Sequence, residues 1–444
     1  MRRLFSLLVI VSVLFAACGQ TNVGNTASDS TWYGAGRNTF RTGRASGEVL
    51  PPFGALWAVD APGVGVSSAS VAKTPVGSEL RDKGTEEVAF FSSGDKSVFA
   101  VSKDSGKVLW SITYRAEASD PAYSDGRVVF VTNDGIIQCN DAWTGNELWV
   151  SRYSTLNTIT REESAPVISG GFVVGGFSTG LVKAFDLETG HEVWREKLED
   201  RINSCPVVVE GKVIFASYSK EITAFNIATG SKVWTAKLSG PVIANLVSDG
   251  DSVFACGAFG DVQAFDVADG RELWQVDTRD TMTHSPCVID EKVIIPLDTG
   301  KILVLKGSDG SLINELNAPK PSSGLVSAGN LLLFTTQEGK LVSVDLLTGE
   351  SNLAYEFATW QEGVTNQRFG DIAIVDGRVY VSDGQSKFFC LVPKDIAQKA
   401  HAVRVQPDES ENIDSEQTEE TKDINSEEVE QAEAYEETTP ETEE

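Results

Sequence analysis

The sequence predicts an all-β fold: an eight-bladed β-propeller of four-stranded antiparallel blades, its ring closed by an N-terminal strand. Three observations carry that prediction. First, one motif recurs. It is clearest as "AFDLETGHEVW" from Ala184, with copies from Ala100, Cys139, Ala224 and Ala264 and weaker ones from Val304 and Ser343. Second, its glycines (Gly106, Gly145, Gly190, Gly230, Gly270, Gly310 and Gly349) stand 39, 45, 40, 40, 40 and 39 residues apart. Third, each period holds four short alternating apolar runs, and a four-stranded repeat of about forty residues is one propeller blade.

Local chemistry accounts for each element in order. A run such as "GLVKAF" alternates apolar and polar side chains, so it makes a strand with one face buried. "DLETG" then turns the chain. Asp186 and Thr189 can bond the backbone N–H groups of the turn, and Gly190 supplies a positive φ. A second strand follows and carries the tryptophan. Upstream lies another hairpin, "PVVVEGKVIFAS" from Pro206, turning at Glu210 and Gly211.

Seven such turns are visible, yet eight blades are expected. After Gly349 the stretch from Asp371, "DIAIVDGRVYVSDGQSKFFCLV", gives three strands with no tryptophan strand behind them. "FGALWAVD" from Phe53 is a strand of the missing type without a blade of its own. Joining the two closes the ring and leaves no free sheet edge. Trp57, Trp110, Trp149, Trp194, Trp234 and Trp274 recur at blade period and are expected to pack between blades. The glycine-rich "WYGAGRNTFRTG" from Trp32 precedes no helix, so it is no phosphate cradle; it is expected to pack across the closure.

The ends read differently. Arg2 and Arg3 precede an apolar run from Leu4 to Ala17, long enough for a signal peptide and short for a membrane span. Residues 1–17 are therefore expected to be a lipoprotein signal, with Cys18 the lipidation site after Ala16 and Ala17. Phe15 stands where such signals usually carry Leu. Residues 18–31 are small and polar and read as a lipidated tether, residues 32–400 as the propeller, and residues 401–444 as an acidic disordered tail. Between Asp408 and Glu444 seventeen acidic residues face one Lys, Lys422, which accounts for most of the net charge of −27.

The remaining acidity offers no basic stripe, so a nucleic-acid partner is not expected. Six Cys, three His and two Met are a thin supply for metal or redox chemistry. His191, His284 and His401 have no ligand spacing, and no metal site, cofactor or catalytic residue is expected. Cys139, Cys205, Cys256, Cys287 and Cys390 lie in or beside strand-like runs and read mostly as small buried residues; the sequence cannot pair them.

The motif A-x-D-x-x-T-G-x-x-x-W resembles the quinoprotein, or PQQ-type, propeller repeat, over about residues 53 to 392. One branch of that resemblance, the quinoprotein dehydrogenases, implies PQQ, a calcium ion, a catalytic Asp and an adjacent Cys pair. This chain has no Cys-Cys pair, and Asp141, Asp186, Asp266 and Asp345 sit at turn positions. The other branch is the BamB family of propeller lipoproteins in the outer-membrane β-barrel assembly machinery. The 45-residue spacing marks a longer connection, "RYSTLNTITREESAP" from Arg152. In the BamB family this loop carries an Arg followed shortly by Glu-Ser-Ala-Pro. Here Arg161, Glu162, Glu163, Ser164, Ala165 and Pro166 match, followed by "VVGG" from Val173.

Thr158, Ile159 and Thr160 precede the Arg, where the family often places Leu directly before it. At the next blade entry, where relatives can carry Asp, Arg201 and Asn203 stand, with Asp200 one residue out of register. The resemblance implies partner-binding roles for Ile159, Arg161, Glu163, Asp200 and Arg201. It implies a non-enzymatic scaffold, lipid-anchored at the outer membrane and facing the periplasm. Its partners would be the periplasmic domains of a BamA-like insertase, other assembly-complex lipoproteins and nascent outer-membrane proteins. A PQQ-binding quinoprotein-like enzyme, or a propeller lipoprotein with another envelope partner, are the alternatives.

Overall fold

The computed structural model describes residues 34, 38, 40–45, 47–63, 67–76, 78–152, 164–358 and 369–405. Eight antiparallel sheets stand around one axis. Blade 1 runs from Ser70–Lys73 to Val108–Thr113, blade 2 from Ala122–Ser124 to Glu147–Arg152, and blade 3 from Val167–Ser169 to Glu192–Lys197. Blade 4 runs from Val207–Val209 to Lys232–Lys237, blade 5 from Val247–Ser248 to Glu272–Asp277, blade 6 from Cys287–Ile289 to Leu312–Asn317, and blade 7 from Val326–Ala328 to Ser351–Glu356. Blade 8 takes its three inner strands from Ala373–Val375, Arg378–Ser382 and Lys387–Pro393. Its outermost strand is Phe53–Asp60, with Phe53 opposite Pro393 and Asp60 opposite Lys387. The expected closure by an N-terminal strand is therefore present.

In blade 1 the helix Glu79–Asp82 separates the first two strands, but in blades 2, 3, 4, 6 and 8 the first hairpin is tight because its two central residues adopt left-handed angles. In blade 4 these are Glu210 at φ 48° and Gly211 at φ 71°, the geometry whose twist matches that of the strands. The turns between the first two strands lie beside those between the last two; in blade 3 Leu187 N–H donates to the Gly171 carbonyl at 2.9 Å. This end of the ring is called the turn face. The turns between middle strands and the connections from blade to blade lie at the other end, the loop face. There Leu198 N–H donates to the Gly180 carbonyl at 2.9 Å.

The hydrophobic core lies between blades. Val174, Val182 and Trp194 of blade 3 meet Val208, Val213, Phe215 and Phe225 of blade 4, all buried. The cores between blades 4 and 5 and between blades 5 and 6 are built in the same way. Each repeated tryptophan also reaches its neighbour by a fixed device. Trp194 Nε1 donates to the Ile227 carbonyl at 2.8 Å, and a Cβ on Gly230 would come within 2.6 Å of the Trp194 ring. Trp57, Trp110, Trp149, Trp234 and Trp274 make the same bond to the next blade and cover Gly106, Gly145, Gly190, Gly270 and Gly310. The repeated glycine thus closes its own turn and seats the indole of the preceding blade. The series stops at blade 6, where Asn314 occupies the tryptophan position and Leu316 reaches Gly349.

The helix Lys394–Val405 was not foreseen from the sequence. Its Ala397 is buried against the closing strand, where a Cβ on Gly54 would lie 2.6 Å from it. The His401 ring Nε2 lies 3.0 Å from the Ala55 carbonyl oxygen. Among the described residues no helix is long and apolar enough to cross a membrane.

Candidate functional site

The longer connection between blades 2 and 3 leaves Arg152 and returns at Ser164, on the loop face. Ile159, Arg161 and Glu163 lie outside the described residues, as does Cys18. Ser164, at the return, is 1% exposed and fixes the end of the connection in the core.

The neighbouring entry to blade 4 is described in full. After Leu198 the chain turns outward, exposing Glu199, Asp200 and Arg201, and returns at the fully buried Ile202. Gly180 makes this possible: its φ is 79°, and a Cβ there would meet the Asp200 carbonyl at 2.6 Å. The Asp200 carboxylate accepts from Arg201 N–H at 2.7 Å. The Arg201 carbonyl accepts from Tyr218 N–H at 2.9 Å, and its guanidinium carbon lies 4.0 Å above the Tyr218 ring centroid. The arrangement holds an exposed cation flat on an aromatic face, with its outer edge open to a partner. Sequence reasoning missed Tyr218. Its position seventeen residues after Arg201, in the turn that caps this blade entry, was the available signal.

The repeated aspartates serve the turns. Asp186 accepts from Glu188 N–H, Thr189 N–H and the Thr189 hydroxyl. These bonds, the Thr189 hydroxyl first, hold its pKa below the usual carboxylate value. Asp345 is lowered in the same way, chiefly by the backbone N–H of Thr348. Cys139, Cys205, Cys256, Cys287 and Cys390 are buried free thiols.

A second group of polar residues, unforeseen from the sequence, faces the axis where each blade begins. Ser68 N–H donates to Asp120 Oδ1 at 3.0 Å, Asp371 N–H to Ser68 Oγ at 2.8 Å, and Gly324 N–H to Asp371 Oδ1 at 2.8 Å. On the opposite side Cys205 N–H donates to Asn245 Oδ1 at 2.9 Å, and Ala165 N–H to Cys205 Sγ at 3.3 Å. These bonds join neighbouring blades. Burial, with the charge of Asp371 second, raises Asp120 to about 6. Arg41, reaching in from the N-terminal segment, opposes that rise.

Comparisons with known proteins agree with this architecture. A family model described as outer membrane protein assembly factor BamB matches residues 53–182 and 178–325. No curated protein matches the chain. Among solved structures, BamB from Moraxella catarrhalis is 18% identical over 75% of this chain and 85% of its own, with a TM-score of 0.50. The computationally designed Ika8 protein is 17% identical over 76% of this chain and 99% of its own, with a TM-score of 0.62. A quinohemoprotein alcohol dehydrogenase from Pseudomonas putida HK5 is 14% identical over 82% of this chain and 80% of its own, with a TM-score of 0.64. At these identities the solved structures share the fold, and a fold hosts many functions. The family model spans the closing strand and the blades in which tryptophan and seating glycine repeat, more than half of the sequence, and the chain belongs to the outer membrane protein assembly factor BamB family.

Proposed function

We propose that this protein is a non-catalytic scaffold of outer-membrane β-barrel assembly. It is lipidated at Cys18, faces the periplasm from the outer membrane and binds the periplasmic domains of a BamA-like insertase. The observation that carries the proposal is the family match over residues 53–325. The loop face supports it. Arg201 is exposed and held on Tyr218, at the blade entry that next follows, in sequence, the connection carrying Ile159, Arg161 and Glu163. A loop on a rigid scaffold, with an arginine fixed in orientation, suits a protein interface. The turn aspartates, with their oxygens engaged by backbone N–H groups, support a structural role for the repeat motif.

The test is co-purification of the full-length protein from native membranes, with Arg161→Glu and Arg201→Glu variants alongside. Wild type recovers an insertase, and each variant recovers at least about tenfold less, since reversing a central interface charge costs ~2 kcal/mol or more. Recovery of no insertase by wild type overturns the assembly role. Equal recovery by all three overturns the choice of residues. Mass spectrometry of the mature N-terminus checks Cys18 separately.

A further inference from the structure

The segment ahead of the closing strand lies within the ring. Gly34 rests against Pro121 and Ala122, at the loop-face end of blade 2. From Phe40 the chain crosses the innermost strands of blades 5, 6 and 7 in turn. Ser248 N–H donates to the Phe40 carbonyl at 2.9 Å, Val288 N–H to the Thr42 carbonyl at 2.9 Å, and Ser327 N–H to the Gly43 carbonyl at 2.7 Å. Arg44 and Ala45 then pair in parallel with Ser327 and Ala328. The path is unlike the packing across the closure expected from the sequence.

An innermost blade strand has no sheet neighbour on its axial side, so its outward N–H groups await an acceptor. Three consecutive blades here present such donors to one segment, which lies outside blades 5 and 6 and joins the blade 7 sheet only at Arg44 and Ala45. Side-chain subsites accompany the donors. The Phe40 ring packs on the core between blades 4 and 5. Arg41 is 5% exposed, and its Nε donates to the Pro206 carbonyl at 2.7 Å. Its charge also acts on Asp120 and on Cys205. Gly43 fits where nothing larger does, since a Cβ would lie 2.8 Å from the Leu325 carbonyl and 3.0 Å from Cys287 Cβ. The segment carries local strain: Arg41 has a φ of 53°, held by its N–H donating to the Asn38 carbonyl at 3.0 Å and by Thr42 N–H donating to Asn38 Oδ1 at 3.2 Å.

We propose that the inner face of the ring is a binding site for an arginine-bearing peptide laid across blades 5 to 7, occupied here by the chain's own residues 40–45 as a displaceable ligand in cis. The backbone donors read a chain crossing the blades, the Pro206 carbonyl reads the arginine, and the Gly43 contact demands a small residue two positions later. The proposal is independent of the loop face and of the insertase.

Two buried cysteines report on occupancy. Cys287 lies against Gly43, and Cys205 directly precedes Pro206, whose carbonyl holds Arg41, whereas Cys139, Cys256 and Cys390 belong to second or third blade strands. The experiment follows alkylation of each thiol in the native full-length protein by mass spectrometry, for wild type and Arg41→Ala. Losing a charged hydrogen bond is expected to raise the Cys205 and Cys287 rates about tenfold or more, with the other three unchanged. A synthetic peptide of residues 36–48 then restores slow alkylation to Arg41→Ala, while the same peptide with Ala for Arg does not. Unchanged rates in the variant, or a fast rate that excess peptide leaves fast, overturns the proposal. If all five thiols react together because the variant unfolds, amide exchange in wild type decides. Ser248, Val288 and Ser327 should then open at least about tenfold more readily than the second strands of the same blades, and equal protection overturns the site.

Discussion

Two arcs of the ring are held together differently. From blade 2 to blade 6 the chain itself links each blade to the next, and one indole on one glycine completes the contact. At blades 8 and 1 the chain also continues, from Phe53–Asp60 to Ser70–Lys73, but blade 8 takes its three inner strands from the far end of the sequence. There the same Trp57 bond to the Lys103 carbonyl, at 2.7 Å, is reinforced by charge. Lys103, buried, pairs with Glu87 and with Asp376 at 2.7 Å. Arg378 pairs with Asp104 at 2.8 Å and donates to the Lys103 carbonyl at 2.9 Å. Phe91 stacks on Phe388 with centroids 4.1 Å apart. Core residues of blades 7, 8 and 1 merge into one cluster here. The difference has a physical reason. Strands of blades 2 to 6 follow one another in the chain and so have a high effective concentration, whereas the inner strands of blade 8 must be brought in from the far end of the sequence, an entropic cost that the contacts at the seam help to offset.

The comparison can be broken at several points. Trp194→Ala in the continuous arc removes a buried indole and its hydrogen bond. It should cost about 4 kcal/mol in urea unfolding, as large aromatic truncations do. Lys103→Ala at the seam leaves Glu87 buried without its cation and should cost about 3 kcal/mol. Amide exchange locates the damage: it spreads through blades 8 and 1 for Lys103→Ala and stays between blades 3 and 4 for Trp194→Ala. Uniform loss of protection in both would remove the distinction between arcs. Gly230→Ala puts a methyl into the Trp194 ring at a φ of 73° and should cost about 2 kcal/mol.

A smaller effect concerns pH. Asp120, raised to about 6, binds its proton more tightly folded than unfolded. That contribution is fully present below about pH 4 and is lost as the pH rises through about 6. Wild type should therefore lose about 1 kcal/mol relative to Asp120→Asn between pH 5 and pH 7. Parallel stability curves for the two proteins would show that Asp120 is not perturbed. Smallest of all, Arg201→Ala should change unfolding stability by less than about 0.5 kcal/mol, because the side chain is exposed. A loss near 2 kcal/mol would mean that the Tyr218 contact supports the fold.

Much of this architecture was legible because its causes are local. The period of the glycines and the alternation of each strand gave the blade. The orphan strand at Phe53 and the missing strand after Val392 gave the closure. At the candidate interface, Asp200 and Arg201 were named only through the family resemblance, which points to this blade entry. Tyr218 was not, because cation–π contact depends on how two connections fold against each other. The polar groups around Ser68, Asp120 and Asp371 were equally hidden: they stand in three different blades, and only the ring brings them together.

The sequence alone determined the strands, the turns and the number of blades, since propensity, alternation and turn hydrogen bonds act within about ten residues. The tertiary structure alone decided that six of the turn glycines also seat the preceding blade's tryptophan, that Lys103 is held by carboxylates from two blades, and that residues 40–45 lie against the innermost strands of blades 5 to 7. Those contacts join residues far apart in the chain, and their geometry exists only once the ring has closed.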